Sequence, residues 1–312
     1  MPRVLTVVMY HYVREFQRSR YPKIKGLEYS GFVRQLNYLA ENFTLVRIQD
    51  VVDAARENEE LPENAALLTF DDGYAEHYDL VFPLLFDRGI QGAFFPPVEP
   101  VRDARLLDVN RVHFVLASCD DPAKLSEYVD ERVREDQREM QLDTVESYRA
   151  RWAHPNRFDD AETIYVKRML QTALPEKLRR SISKELFARF VTNDEAAFAS
   201  ELYISRDQAK LMNSCGMYFG SHGFSHYWLN EVSREKQERE VDLSLDFLRD
   251  IGSPVDKFWA ICYPFGGWNE ELLTVLRKRH CTLGFTTRVA AANLDSDCPL
   301  TLPRFDTNDF PQ

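Results

Sequence analysis

Ala65-Ala66-Leu67-Leu68-Thr69-Phe70-Asp71-Asp72-Gly73 is the stretch on which the fold turns. An apolar run with no polar alternation describes a strand buried on both faces, the mark of a parallel sheet covered by helices. Two carboxylates and a glycine at its end describe a sharp exit into a loop. Working outward, short apolar runs at Val4–Met9, Thr44–Ile48, Gly92–Phe95, Met217–Gly220, Phe258–Cys262, Thr282–Thr286 and Leu300–Pro303 read as further strands. Helical stretches fall between them. One is capped by Ser30 and carries Phe32, Leu36, Leu39 and Ala40; others are Val51–Arg56, Phe82–Arg88 (stopped by Gly89) and Arg206–Gly216. Ser233–Arg249, with Val241, Leu245 and Leu248 on one face, and Glu270–Lys278 complete the set. Repeated β–α units predict an α/β fold with a parallel sheet, open or closed, and seven or eight strands favour a (β/α) barrel. From about Arg105 to Asp207 the chain is charge-rich, helical in period and without a convincing strand. We therefore expect a single domain over 1–312, interrupted by a helical insertion at about 105–205.

The chain has 312 residues, with 39 Lys+Arg against 50 Asp+Glu and a net charge of −11. Such a balance offers no global field for a phosphate backbone, so nucleic acid is not expected as a partner. Hydrophobic residues at 44% and aromatics at 12% exclude a disordered chain. The five cysteines are odd in number and include no C-x-x-C pair, which argues against a disulfide framework or a zinc ribbon. No apolar run approaches the ~18 residues of a membrane span. Val4–Tyr10 makes a poor export signal, with no A-x-A site after it, and together with free thiols this leads to an expectation of a cytoplasmic protein.

In a β/α barrel the side chains that act sit where strands end. The strand ends here lead into Tyr10-His11, Asp71-Asp72-Gly73-Tyr74, Ser221-His222-Gly223-Phe224-Ser225-His226, Tyr263-Pro264-Phe265-Gly266-Gly267 and Arg304-Phe305-Asp306. Adjacent residues leave a strand in different directions, so one of Asp71 and Asp72 can bind a metal while its neighbour stays free as a base. The plainer alternative is a helix cap beside a solvated acid. His222 and His226 are spaced i, i+4, which on a helical turn would place two imidazoles on one face; the alternative is two surface histidines. Two imidazoles and a carboxylate suit a divalent Lewis acid such as Zn²⁺, Fe²⁺, Co²⁺ or Mn²⁺.

Thr69-Phe70-Asp71-Asp72-Gly73-Tyr74 and Ser221-His222-Gly223-Phe224-Ser225-His226 resemble the first two motifs of the polysaccharide deacetylases, the NodB-homology or carbohydrate esterase 4 family. Tyr263-Pro264-Phe265-Gly266 resembles the third. The resemblance covers about residues 1–100 and 206–309 and implies a distorted (β/α) barrel. It implies that Asp72, His222 and His226 hold one divalent metal, zinc first, with Fe, Co, Mn or Ni admitted. It implies Asp71 as general base toward the attacking water, a backbone N–H near Phe265 for the oxyanion, and release of acetate from an N-acetylated sugar.

The sequence departs from the family in three places. An arginine that steadies the base is usual where Cys262 stands; Arg304 at another strand end is the candidate substitute, the alternative being a structural ion pair. The fourth motif's Asp–Trp pair is not evident around Thr286-Thr287-Arg288. The fifth motif's histidine is not found, which leaves His11 as candidate acid or substrate ligand, or else a core histidine. Tyr74, His77, Tyr263, Pro264, Phe265 and Trp268 are candidates for the substrate wall. The expected cytoplasmic location leads to a lipid- or nucleotide-linked saccharide for capsule or O-antigen as substrate, and the insertion could serve a homodimer. Two other classes compete: a metal hydrolase of another bond (deformylase, cyclic amidase, O-deacetylase), and a silent glycan-binding homologue.

Overall fold

The computed structural model describes residues 3–156 and 159–311. The chain divides into two compact units. One comprises the chain up to Glu15, Lys25–Arg105 and Ala199 onward; the other comprises Phe16–Ile24 and Leu106–Phe198.

In the first unit, β1 (Val4–Tyr10) and β2 (Ala65–Asp71) pair in parallel from Leu5↔Ala65 to Tyr10↔Phe70. On the far side of β2 lie β3 (Ala93–Phe95) and then β4 (Tyr218–Phe219), both parallel. The line continues through a bridge between Ser221 and Ile261 into β5 (Ala260–Cys262) and β6 (Leu283–Phe285). A second bridge, Phe285 to Leu302, leads to β7 (Phe305–Asp306), which pairs in parallel with β1 at Val8 and Met9. The hydrogen-bonded line thus returns to its start as a ring of seven parallel strands. Its two joints are single bridges rather than full ladders, which is where the barrel departs from regularity. Thr44–Leu45 pairs with the start of β2, and Ala292–Asn293 runs antiparallel to the start of β1.

Period-two alternation divides each strand between two cores. Leu5, Val7, Leu67, Phe95, Ala260, Cys262, Leu283, Phe285 and Leu302 fill one cluster, drawn from strands all round the ring. Val8, Tyr10, Leu68, Phe70, Phe94, Phe219 and Ile261 fill the other, with Leu36 of α1 (Tyr29–Asn42), Leu245 and Leu276 packed among them. Asp71 continues the Leu67, Thr69 series, so its carboxylate enters the ring at the C-terminal end of β2.

Three sequence expectations are corrected at element ends. Helix α1 starts at Tyr29 with Glu28 as the capping residue, so Ser30 lies inside the first turn. The apolar run Thr44–Ile48 is a strand only at Thr44–Leu45; Ile48 already opens α2 (Ile48–Glu57), since its apolar residues Val51, Val52 and Ala54 follow helical spacing. Leu300–Pro303 begins as a 3-10 turn, Pro299–Thr301, because proline at its first position presets helical φ, and only Leu302 makes a strand bridge; the last stave is β7.

Helices dominate the second unit: Asp108–Ser118, Pro122–Met140, Val145–Trp152, Ala161–Arg168 and Glu176–Phe190. Asp121, Thr144 and Asp160 cap three of them by accepting the amides of Ala123, Ser147 and Thr163. Phe114, Phe187 and Phe198 pack edge to face, with Tyr21 against Phe114 at 5.0 Å. Asp130 is buried there and accepts from Tyr165 Oη and Arg149 Nε, both at 2.7 Å.

Candidate metal centre

Asp71 and Asp72 part company because the backbone turns left-handed between them. Asp72 has φ 73° and Gly73 φ 65°, and an added Cβ on Gly73 would stand 2.6 Å from Pro96 Cβ. His222 and His226 do not share a helical turn, as their spacing predicted. Residues 222–227 are irregular, with Gly223 at φ 73° and His226 at φ 57°. The loop, not a helix face, brings the imidazoles together. Of eight described non-glycine residues with left-handed φ, Asp72, His226 and Phe265 (57°) all stand at this site. Such conformations cost free energy and persist where surrounding contacts over-determine them.

The three ligating atoms of Asp72, His222 and His226 lie within 4.8 Å of one another. Asp72 Oδ1 is 3.4 Å from His222 Nε2 and 3.3 Å from His226 Nε2. Metal–ligand bonds of about 2.1 Å at a tetrahedral angle would subtend an edge of about 3.4 Å. Asp72 Oδ1 is buried and makes no hydrogen bond, while Oδ2 accepts from Tyr74 Oη at 2.7 Å. His222 Nδ1 donates to the Cys262 carbonyl at 2.7 Å, which leaves the Nε2 lone pair facing Asp72. An orphaned carboxylate oxygen opposed by two imidazole nitrogens is a donor set that fits a divalent cation.

Asp71 lies beside this cluster and is 1% exposed. Arg304, equally buried, grips it in a fork: Nη1 donates to Oδ1 at 3.0 Å and Nη2 reaches Oδ2 at 2.8 Å. The guanidinium also donates from Nε to the Thr286 carbonyl at 3.0 Å, and from Nη1 to Thr69 Oγ1 at 3.2 Å and Cys262 Sγ at 3.1 Å. Arg304 therefore lies against Cys262 and holds both oxygens of Asp71. Burial pushes the Asp71 carboxyl up, but the charge and hydrogen bond of Arg304 bring it down to about 2. His11 Nε2 stands 3.9 Å from Asp71 Oδ2, with its side chain 41% exposed.

The expected substrate wall divides. Tyr74 is fully buried beneath Asp72, and Tyr263 is fully buried with its hydroxyl donating to the Leu300 carbonyl. Pro264 is buried too. His77 does not face a cleft: it is 0% exposed, and its Nε2 lies 2.8 Å from the His11 carbonyl, so it carries the loop that bears His11. The apolar rings of Phe70 and Phe94 around it explain the burial. Phe265 is half-buried, edge-on to His226 at 4.6 Å and stacked on Trp228 at 4.5 Å; Trp268 is exposed. Sequence reasoning missed Trp228, although it stands only two residues after His226. It also missed Glu240, whose carboxylate Oε2 accepts the amides of Phe224 and Ser225 at 2.8 Å each.

An α/β barrel with an Asp-His-His cluster at its strand ends sets a donor group for a divalent cation where such folds carry their functional residues. Residues 179–284 match the polysaccharide deacetylase family model. That match takes in His222 and His226 and makes this part of the chain similar to the polysaccharide deacetylases. A stretch of 57 residues is 44% identical to the poly-β-1,6-N-acetyl-D-glucosamine N-deacetylase of Escherichia coli K12, covering 18% of this chain and 8% of that protein. Among solved structures, the Streptococcus pyogenes deacetylase PplD in complex with acetate superposes with a TM-score of 0.60 at 17% identity, over 98% of this chain and 93% of that one. The deacetylase domain of BpsB from Bordetella bronchiseptica gives 0.57 at 14% identity over 97% and 96%. IcaB from Ammonifex degensii gives 0.53 at 18% over 97% and 91%. These three share the fold. Among the described residues, no helix is long and apolar enough to cross a membrane.

Proposed function

We propose that this protein is a divalent-metal-dependent deacetylase that hydrolyses the N-acetyl group of an amino sugar or short glycan in the building of a surface polysaccharide such as capsule or O-antigen. The observation that carries the reading is the convergence of Asp72, His222 and His226 on one point, with the buried Asp71–Arg304 pair alongside. The family match and the N-deacetylase activity of the Escherichia coli relative support the acetamide bond as the target.

Asp72, His222 and His226 would hold the ion, zinc by preference for a mixed N/O set of this size. When bound, it supplies the Lewis-acid charge that acidifies water and polarises the acetyl carbonyl. The remaining work falls to the chain. Arg304 keeps Asp71 ionised and fixed in the ring, and each oxygen retains a lone pair beyond the one the guanidinium takes. Asp71 is thus a carboxylate ready to accept the proton of the attacking water. His11, 3.9 Å from Asp71 and open to solvent, would pass a proton to the departing amine. The half-buried Phe265 and exposed Trp268 offer apolar surface to a sugar face.

The test combines elemental analysis of the purified protein with acetate and free-amine detection on N-acetylated nucleotide sugars, lipid-linked saccharides and a β-1,6-linked polymer. About one metal per chain and acetate from a short substrate are expected. Formate or another acid in place of acetate, or turnover on polymer alone, would overturn the substrate assignment.

A further inference from the structure

The helix Arg234–Asp250 buries three polar residues as well as its apolar face: Gln237 at 0%, Glu240 at 4% and Ser244 at 0%. Their spacing of three and four places them in one stripe along the helix. Each holds a different part of the chain between Ser221 and Leu229. Ser244 Oγ donates to Ser221 Oγ at 2.8 Å, and Ser221 Oγ in turn accepts the Gly223 amide at 3.2 Å. Glu240 Oε2 accepts both the Phe224 and Ser225 amides at 2.8 Å. Gln237 Nε2 donates to the Leu229 carbonyl at 2.8 Å. Three consecutive amides between His222 and His226 are therefore taken by side chains rather than by a helix or a strand. Gly223 belongs to the same device, since a Cβ there would stand 3.3 Å from Glu240 Oε2.

We infer that Glu240 is the positioning residue of the metal centre: by clamping two adjacent amides it holds the loop in the left-handed path that turns His226 toward Asp72 and His222. A carboxylate suits this task better than a neutral acceptor. Its oxygens carry lone pairs only, so one of them takes two amides at once, and charge-assisted bonds are the stronger kind. A buried acid with two amides as partners is also one that apolar packing would otherwise exclude from a helix core. The inference rests on the Asp-His-His reading, and deepens it by naming what prearranges two of the three ligands.

The test uses the full chain, with zinc affinity read by chelator competition and ligand geometry read from the visible spectrum of the cobalt-loaded protein. Removing a partner that orients ligands typically weakens metal binding about 10–100-fold. Glu240→Ala is expected to lie in that range and to alter the cobalt spectrum, while Glu240→Gln, which keeps one acceptor oxygen, falls between it and wild type. Amide hydrogen exchange in the metal-free protein adds a readout independent of the ion: Phe224 and Ser225 should exchange faster in both variants while the strands keep their protection. If Glu240→Ala does not fold, Glu240→Gln carries the test alone. Wild-type zinc affinity and an unchanged cobalt spectrum in a folded variant would overturn the inference. Failure of the parent reading is distinguishable, because then the wild type itself binds no stoichiometric metal.

Discussion

Replacing Arg304 by methionine, which has similar reach and no charge, should expose how much of the barrel's upper core depends on one ion pair. Arg304 and Asp71 are each 1% exposed, and the pair is bidentate. Breaking such a pair by removing one partner typically costs about 3–5 kcal/mol, because the other charge is left buried and uncompensated. The Asp71 side gives an independent measure. Its carboxyl sits at about 2 where an ordinary one sits at 3.8, so the preference for the ionised form is worth roughly 2–3 kcal/mol. The folded value is depressed, so this stabilisation is fully present above pH ~4 and is lost as pH falls toward 2. Arg304→Met should remove it, and its stability deficit at neutral pH should shrink on acidification as Asp71 becomes neutral. A urea-denaturation cycle on metal-free protein, with Arg304→Met, Asp71→Asn and the double variant, isolates the coupling. Each single change leaves a buried charge alone, whereas the double change removes both, so the double variant should recover about 2 kcal/mol or more over the sum. Additivity within ~0.5 kcal/mol, the behaviour of independent sites, would refute the view that Arg304 exists to hold Asp71.

Asp72→Ala and His226→Ala should each strip the metal from protein that still folds, measured by elemental analysis; stoichiometric metal in both would refute their ligand roles. Asp71→Asn should retain metal and lose about 10²–10⁴-fold in kcat, the usual worth of a general base, and undiminished turnover would reject that role. His77 is driven by burial from 6.5 down to about 4. Its folded value is depressed, so the contribution of the neutral ring is complete above pH ~6.5 and declines as pH falls toward 4, by about 3 kcal/mol in all. His77→Gln, which can still donate to the His11 carbonyl, should flatten that part of the stability–pH curve; an unchanged slope would remove His77 from the account.

Much of the barrel could be read from the chain because buried parallel strands are continuous apolar runs. Ala65–Asp71 is the clearest, and the C-terminal ends of such strands point to where polar residues act. Where runs were short or ended in proline, as at Thr44–Ile48 and Leu300–Pro303, local pattern did not separate strand from helix start or 3-10 turn. The histidine spacing suggested the right pair by the wrong geometry: i, i+4 describes a helical face, while the structure uses a left-handed loop. Arg304 entered as one candidate among alternatives, since nothing in Leu302-Pro303-Arg304 states which carboxylate, 233 residues away, its guanidinium will reach. Glu240 gave no signal at all. On a helix rich in charge, a buried acid looks like any solvated one until the loop it serves is folded against it.

The order of residues by itself determined the β–α repeat, the rim on which polar side chains gather, and the donor types available there, because hydrophobic period and side-chain chemistry are local properties. Only tertiary structure decided which atoms meet. Closing the ring brings Asp72 to His222 and His226, and carries Arg304 to Asp71, through backbone turns and partners that lie far apart along the chain and become neighbours only once the sheet has joined end to end.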